Sequence, residues 1–141
     1  NLLIGDRTAE YIKIKIGAAI PLKDEEFLDV KGRDLITGLP KTIKLGSNEV
    51  LEAINDSLMQ IVNNVKAVLE KTPPELSADI VDKGIVMTGG GSLIREFPKL
   101  LSNYTLLPVY LAENALESVV LGAGLALDKL DVLRKIEKME R

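Results

Sequence analysis

The sequence predicts an α/β fold in which a helix and a β-hairpin precede a strand–helix–strand–helix unit. In the first half, apolar and charged residues alternate on both sides of a turn with glycine and proline, which is typical of a half-exposed antiparallel hairpin. In the second half, two short apolar strands flank a helical segment, and such strands pair in parallel through a right-handed crossover. The 141 residues are the length of one average domain.

Composition and charge narrow the possible functions. With 46% hydrophobic and 28% charged residues, the chain has the composition of a globular protein. It contains no cysteine and no histidine, which excludes disulfides, thiolate chemistry, Ser/His/Asp triads and nearly every kind of zinc site. The net charge of −3 offers no electrostatic basis for binding nucleic acid. No apolar run approaches the roughly 18 residues that a membrane-spanning helix needs, and no signal peptide is evident, so we expect a cytoplasmic location.

The first element is predicted to be a helix. The chain opens with "NLLIGDRTAE", without an initiator methionine, and this opening reads like the end of an element that began earlier. We therefore expect a portion of a longer protein. Asp6 or Thr8 is predicted to cap a helix that runs through "TAEYIKIKI" and ends at Gly17.

A hairpin is predicted to follow. Leu28 and Val30 alternate with charged residues, which indicates a strand with one exposed face. The run Thr37-Gly38-Leu39-Pro40 supplies turn residues before a second strand over residues 41–45.

The longest predicted helix covers residues 48–71, with Ser47 as its cap and Thr72-Pro73-Pro74 as its end. Apolar residues recur along it every three or four positions and predict a single stripe that faces the core. The stripe consists of Val50, Ile54, Leu58, Ile61, Val65 and Val68 or Leu69. A short helix is expected at residues 75–82.

Three consecutive glycines follow the first apolar strand of the second half, in "IVMTGGGSLI". Glycine is favoured where the backbone needs positive φ or must approach another group closely. Ligands in open α/β sheets bind at the carboxyl ends of strands, which is where this run lies. The run lacks both the G-x-G-x-x-G spacing and the Gly-Lys-Ser/Thr of a P-loop. Taken alone, it leaves a tight turn and a nucleotide contact both open.

Longer segments carry a family resemblance. These are "GDRTAEYIKIKIG", "VKGRDLITGLPKTIKL", "LEKTPPELSADIVDKGIVMTGGGSLI" and "LPVYLAENALESVVLGAGLAL". Together they resemble the carboxyl-terminal half of the MreB-type bacterial actins, over all but about the last ten residues. The resemblance implies an actin-like ATPase fold of two lobes, each with a ribonuclease-H-like core subdomain and a smaller outer one. It assigns residues 1–70 to the α+β outer subdomain of an incomplete second lobe and residues 71–141 to its inner core subdomain.

The resemblance also implies a nucleotide site. In the family, an acid and a lysine one helical turn apart bind the ribose and the adenine. The corresponding residues here, Glu10 and Lys13, would otherwise be interpreted as a surface ion pair. The glycines would form a backbone floor under the adenosine, and the residues after them would start a helix and shape the adenine pocket. The implied residues of the turn are Gly89, Gly90, Gly91 and Ser92, with Leu93 or Ile94.

The function that the resemblance implies is that of a filament-forming cytoskeletal protein that binds ATP or ADP with Mg²⁺. Such proteins determine rod shape by organising cell-wall synthesis at the inner face of the cell membrane. The expected partners are further copies, stacked head to tail through the hairpin, and membrane proteins of cell shape and wall synthesis, but not nucleic acid. Membrane attachment, the phosphate loops and the catalytic acid belong to other parts of the family's proteins. We therefore expect no catalytic residue, no metal ligand and no ATP hydrolysis from this chain alone.

Several alternatives stay open on the sequence. The alternatives are a portion of an Hsp70-like chaperone ATPase or of a sugar kinase, and a stand-alone interaction module. The acidic run at residues 24–26 is compatible with a metal site but typical of a solvated turn. Gly122 and Gly124 predict close packing of the last helix on the sheet. The segment "LALDKLDVLRKIEKMER" extends that helix as a solvated tail or a docking helix.

Overall fold

The structure is a computed structural model and describes residues 1–130. It confirms the α/β class, with one antiparallel sheet, one parallel pair of strands and five α-helices among the described residues. The elements are β1 (Leu2–Leu3), α1 (Asp6–Ile16), β2 (Phe27–Asp34), β3 (Pro40–Gly46), α2 (Ser47–Glu70), α3 (Pro74–Lys83), β4 (Ile85–Met87), a 3₁₀ turn (Gly90–Leu93), α4 (Phe97–Thr105), β5 (Val109–Leu111) and α5 (Ser118–Asp128).

The predicted hairpin is confirmed. β2 and β3 pair antiparallel with Val30 opposite Ile43, and β1 adds to the other edge of β2. At the turn, the Asp34 carboxylate accepts hydrogen bonds from the backbone N–H groups of Ile36 at 2.8 Å and Thr37 at 3.0 Å. Its second oxygen accepts one from the Lys41 ammonium at 2.7 Å. The Lys41 hydrogen bond, followed by the two backbone ones, lowers the pKa of Asp34 well below its usual range.

Helix α1 ends before Gly17 as predicted, but its predicted cap is wrong. Gly5 precedes the first turn and its carbonyl accepts the N–H groups of Thr8 at 2.9 Å and Ala9 at 3.0 Å. Asp6 and Thr8 are therefore already helical. Asp6 still stabilises the first turn because a negative charge there opposes the helix dipole.

The predicted cap of α2 is also wrong. Ser47 is the first helical residue, and Gly46 occupies the cap, where its N–H donates to the Glu49 carboxylate at 2.9 Å. The Ser47 hydroxyl is used elsewhere, since it accepts the N–H of Glu26 at 3.2 Å. In return, the Ser47 N–H donates to the Glu26 carbonyl at 2.8 Å. These two bonds fix the chain before β2 to the start of the long helix.

Helix α2 contributes to both hydrophobic clusters of the described chain. Its first turn joins one cluster through Val50, and its middle joins the other through Leu58 and Val62. The predicted stripe is right at Val50 and Leu58 but wrong at Ile61, which is 45% exposed, because the fully buried residue is its neighbour Val62. Val68 is also exposed, but its alternative Leu69 is half-buried, and Ile54 and Val65 pack against the cluster of Leu58 and Val62. The first cluster contains Ile12, Ile16, Val30 and Val50, and the second contains Ala19, Leu58, Val62, Phe97, Leu100 and Leu101. Since one helix serves both clusters, the division at residue 70 stays a prediction.

The predicted parallel pair is confirmed, with Ile85 opposite Val109. Gly84 enters β4 with a φ of 75°, and a Cβ there would lie 2.5 Å from the Pro108 carbonyl oxygen. That carbonyl accepts the Ile85 N–H at 2.8 Å. Glycine at this position therefore permits the close approach of the two strands.

The prediction that a helix starts at Ser92 is wrong. A 3₁₀ turn occupies Gly90–Leu93, and α4 begins only at Phe97. Between them the chain is extended at Ile94, and Arg95 forms an isolated parallel bridge with Ala18. Glu96 then adopts the left-handed conformation, with a φ of 61°, which redirects the chain into α4. The tertiary bridge accounts for the interruption.

Helix α5 does not pack as predicted. Within residues 1–130 it has no buried residue, and a Cβ added at Gly122 or Gly124 would meet nothing within 4 Å. Close packing of these glycines on the sheet is therefore wrong for the described structure, in which the parallel pair has only two strands. The amphipathic extension predicted after α5 lies largely in residues 131–141, outside the described residues.

Candidate functional site

One wall of the candidate site is a face of α1. Glu10, Lys13 and Ile14 are three and four residues apart, so they project from the same side of the helix. The opposite side of the helix carries Ile12 and Ile16, which are buried in the first cluster and anchor the helix to the antiparallel sheet. This division leaves the face with the predicted acid and lysine free of core contacts.

The other wall is the glycine turn after β4. Gly89 has a φ of 81°, and its N–H donates to the Ala115 carbonyl at 2.6 Å. Its carbonyl accepts both the N–H of Ser92 at 3.2 Å and the Ser92 hydroxyl at 2.6 Å. Ser92 is buried. Gly89 and Ser92 therefore build the turn, and the hydrogen-bonding groups named above are already used within it.

The two walls enclose a cavity of about 370 Å³. Six of the eight residues predicted for the site line it, whereas Gly89 and Ser92 lie behind its surface. Two lining residues were missed, Ile14 and Leu116. The spacing of Ile14 from Glu10 would have revealed it, and Leu116 follows the strand beside the glycine run. The lining residues are Glu10, Lys13, Ile14, Gly90, Gly91, Leu93, Ile94 and Leu116.

The cavity combines an apolar interior with one charged edge. Ile14, Leu93 and Leu116 are apolar side chains with large exposed fractions, so a flat apolar group could cover them. Glu10 and Lys13 form no ion pair with another described residue, which leaves an acceptor and a donor for a ligand. Cavities that bind small molecules have this size and this pattern of few polar groups in an apolar lining.

The acidic side chains of the described residues do not cluster. Within residues 1–130, no three His, Cys, Asp or Glu side chains come close enough to hold a metal ion. In the acidic run at residues 24–26, Glu26 instead pairs with Arg95, whose Nη1 donates to Oε1 at 2.5 Å. This hydrogen bond lowers the pKa of the Glu26 carboxyl. No helix in the described part of the chain has the length and hydrophobicity needed to cross a bilayer.

Comparison with known proteins decides the family. The family model described as "MreB/Mbl protein" matches residues 1–135. The chain belongs to this family. It is 48% identical to the cell shape-determining protein Mbl of Bacillus subtilis (strain 168) over 135 residues, which are 96% of the chain and 40% of that protein. It is 45% identical to the cell shape-determining protein MreB of Escherichia coli (strain K12), over 92% of the chain and 38% of that protein.

Two solved structures support the same family assignment. The chain superposes with a TM-score of 0.89 and 35% identity on the crystal structure of MreB5 of Spiroplasma citri bound to ADP, over 97% of this chain and 41% of that one. The AMPPNP-bound structure of the same protein matches with a TM-score of 0.88. The family resemblance and the actin-like fold are therefore confirmed. The chain spans about 40% of the length of the relatives it matches.

Proposed function

We propose that this chain forms the nucleoside side of an ATP site in a filament-forming protein that determines cell shape. The observation that carries the proposal is the cavity itself. It brings Glu10 and Lys13 of α1 opposite Gly90 and Gly91, although some 80 residues separate the two walls in the chain. Nucleotide binding by MreB5 of Spiroplasma citri, with which the chain shares its fold, supports this reading.

Each part of a nucleoside has a counterpart in the cavity. The Glu10 carboxylate can accept hydrogen bonds from ribose hydroxyls, and Lys13 can donate to a ring nitrogen or a hydroxyl. Gly90 and Gly91 present bare backbone, so a flat base can approach them closely. Leu116 and Ile14 supply apolar contact. These residues suit adenosine, and we assign none of them a role in holding a metal.

The test is calorimetric titration of the protein at its natural length with ADP. Glu10→Ala and Lys13→Ala are each expected to raise the Kd about tenfold, because each removes a hydrogen bond to a charged group. Lys15→Ala is the matched control, since Lys15 has the same charge on the same helix but does not line the cavity. Its Kd should equal that of the wild type.

Equal effects of Lys13→Ala and Lys15→Ala would contradict the assignment, because they would show a general loss of positive charge. Unchanged binding in both cavity variants would refute the nucleoside site altogether.

We also propose that the chain self-associates through its hairpin. The turn between β2 and β3 carries three exposed apolar residues, Leu35, Ile36 and Leu39, and Leu39 is 65% exposed. Exposed apolar side chains grouped at one tip are typical of a protein contact. In the protein at its natural length, Leu39→Asp is expected to abolish filaments in a sedimentation assay with ATP. Thr42→Asp, also exposed and on β3, is the control and should sediment normally.

Normal filaments from Leu39→Asp would contradict the hairpin contact without affecting the nucleoside site. The relatives' description as cell shape-determining proteins supports the cellular part of the proposal. In this proposal, filaments at the inner face of the cell membrane organise membrane proteins of wall synthesis. Loss of rod shape in cells that carry Leu39→Asp is the expected phenotype.

A further inference from the structure

Arg95 connects the two walls of the cavity. It follows the 3₁₀ turn that carries Gly90 and Gly91, and its backbone pairs with Ala18, just beyond the end of α1. The Arg95 carbonyl accepts the N–H of Ala19 at 2.8 Å. Its guanidinium donates to the Lys15 carbonyl from Nη2 and to the Glu26 carboxylate from Nη1. One residue thus contacts the chain on both sides of the cavity.

The contact with Lys15 replaces a helical hydrogen bond. In a continuing α-helix, the Lys15 carbonyl would accept the N–H of Ala19. Here Ala19 donates to Arg95 instead, and the Arg95 guanidinium takes its place on the Lys15 carbonyl. A positive charge at this end is favoured because the last carbonyls of a helix carry partial negative charge. Arg95 therefore closes the last turn of the helix that carries Glu10 and Lys13.

Glu26 gives the guanidinium a fixed second contact. The backbone N–H and carbonyl of Glu26 are both bonded to Ser47, at the first residue of α2. Its carboxylate therefore projects from a segment that is tied to the long helix. With one nitrogen on Glu26 and another on Lys15, the planar guanidinium has its orientation defined in two directions.

We propose that Arg95 is a positioning residue of the nucleoside site, which sets the separation between α1 and the glycine turn and thereby the affinity for a nucleoside diphosphate. The inference rests on the proposed function of the cavity. Arg95 does not line the cavity and need not touch the ligand. It acts through Glu10 and Lys13, the latter of which lies two residues before the carbonyl that Arg95 holds.

A purely stabilising role for Arg95 fits the exposure of its contacts less well. The Arg95 and Glu26 side chains are 34% and 47% exposed, and ion pairs this exposed contribute little to folding. Their bonds nevertheless fix geometry between segments that are distant in the chain. Loss of Arg95 should therefore weaken binding more than it lowers the thermal midpoint of unfolding.

The test compares ADP affinity among variants of the protein at its natural length. Arg95→Ala is expected to raise the Kd for ADP about five- to tenfold, the effect expected for partly exposed charge-assisted hydrogen bonds. Arg95→Lys keeps the charge but not the two-armed geometry, so it should restore only part of the affinity. Glu26→Gln removes the charge of the second contact and should raise the Kd less than Arg95→Ala. Lys99→Ala is the control, because within residues 1–130 the Lys99 ammonium pairs with Glu96, one helical turn away at 3.3 Å, and not with either wall of the cavity.

Coupling separates positioning from general stability. In a Glu10→Ala, Lys13→Ala background, Arg95→Ala should change the Kd by less than about twofold, because the groups that it positions are gone. An independent, stabilising role predicts the same five- to tenfold change in both backgrounds, and that result would overturn the inference. If Arg95→Ala does not fold, the same comparison is made with Arg95→Lys.

The outcomes also separate this inference from the proposed function. If Glu10→Ala weakens ADP binding but neither Arg95 variant does, the positioning role is wrong and the nucleoside site stands. If the wild type does not bind ADP, or Glu10→Ala and Lys13→Ala bind normally, both are wrong.

Discussion

Substitution of single glycines in the run at residues 89–91 should separate folding from binding. Gly89 has a φ of 81° and a ψ of 166°, a backbone region that is essentially confined to glycine. A side chain there costs on the order of 1–3 kcal/mol. The backbone cannot relax freely, because the Gly89 N–H is bonded to Ala115 and its carbonyl to Ser92. Gly89→Ala should therefore lower the free energy of unfolding by about this amount.

Gly91 is the matched control two residues later. It does not have positive φ, and a Cβ there would meet nothing within 4 Å. Its substitution by alanine mainly restricts the unfolded chain, which stabilises a protein by about 0.4–1 kcal/mol. The two variants should therefore differ in free energy of unfolding by roughly 1.5–4 kcal/mol.

Urea denaturation measures this difference, and titration with ADP supplies the second readout. Because Gly91 lines the cavity, Gly91→Ala should fold normally yet bind ADP more weakly. Equal midpoints of unfolding for the two variants would refute the conformational argument. A Gly91→Ala protein with unchanged ADP affinity would refute close approach of the ligand to this glycine.

Two further predictions concern the framework that positions the site. Leu58→Ala should lower the free energy of unfolding by about 2–5 kcal/mol, because it leaves a cavity in the second cluster. Ile61→Ala, on the exposed face, should lower it by about 1 kcal/mol or less. Equal losses in urea denaturation would show that the burial pattern is wrong. The hairpin should weaken in acid. The folded pKa of Asp34 is lowered, first by Lys41, so its stabilisation is complete above the unfolded pKa of about 4 and is lost as the pH falls from there through the folded pKa. Asp34→Asn should be less stable than the wild type at pH 7, with the difference shrinking below about pH 4; a constant difference in urea titrations across this range would contradict the role of the charge.

Local patterns predicted most of the elements. The alternation around Thr37-Gly38-Leu39-Pro40 gave the hairpin, and the apolar runs on either side of the glycines gave the parallel pair. Two of the errors lie where a distant contact decides the local structure. Serine is a residue type favoured at helix caps, but the Ser47 hydroxyl accepts a hydrogen bond from Glu26, so Gly46 and Glu49 form the cap. No local pattern reveals that competition.

The same reason explains the error after the glycines. The run "SLIREFPKLLSN" has the periodicity of one helix, but Arg95 pairs with Ala18 and holds the chain extended. The error at Ile61 is different, because Ile61 and Val62 are adjacent and both apolar. In the second cluster, Val62, four residues after Leu58, is the buried one.

The site was predicted in part from resemblance rather than from pattern. Spacing alone places Glu10 and Lys13 on one face but does not show that this face meets Gly90 and Gly91. Leu116 was missed because nothing in its neighbourhood in the sequence marks it as lining the cavity. Arg95 was missed because its role depends on Lys15 and Glu26, which are far from it in the sequence.

The most direct test of the nucleoside site is a crystal structure of the protein at its natural length with ADP bound. We expect adenosine in the cavity between α1 and the glycine turn, with a ribose hydroxyl within hydrogen-bonding distance of the Glu10 carboxylate and the base against Gly90 and Gly91. ADP bound with its ribose away from Glu10 and Lys13 would contradict it.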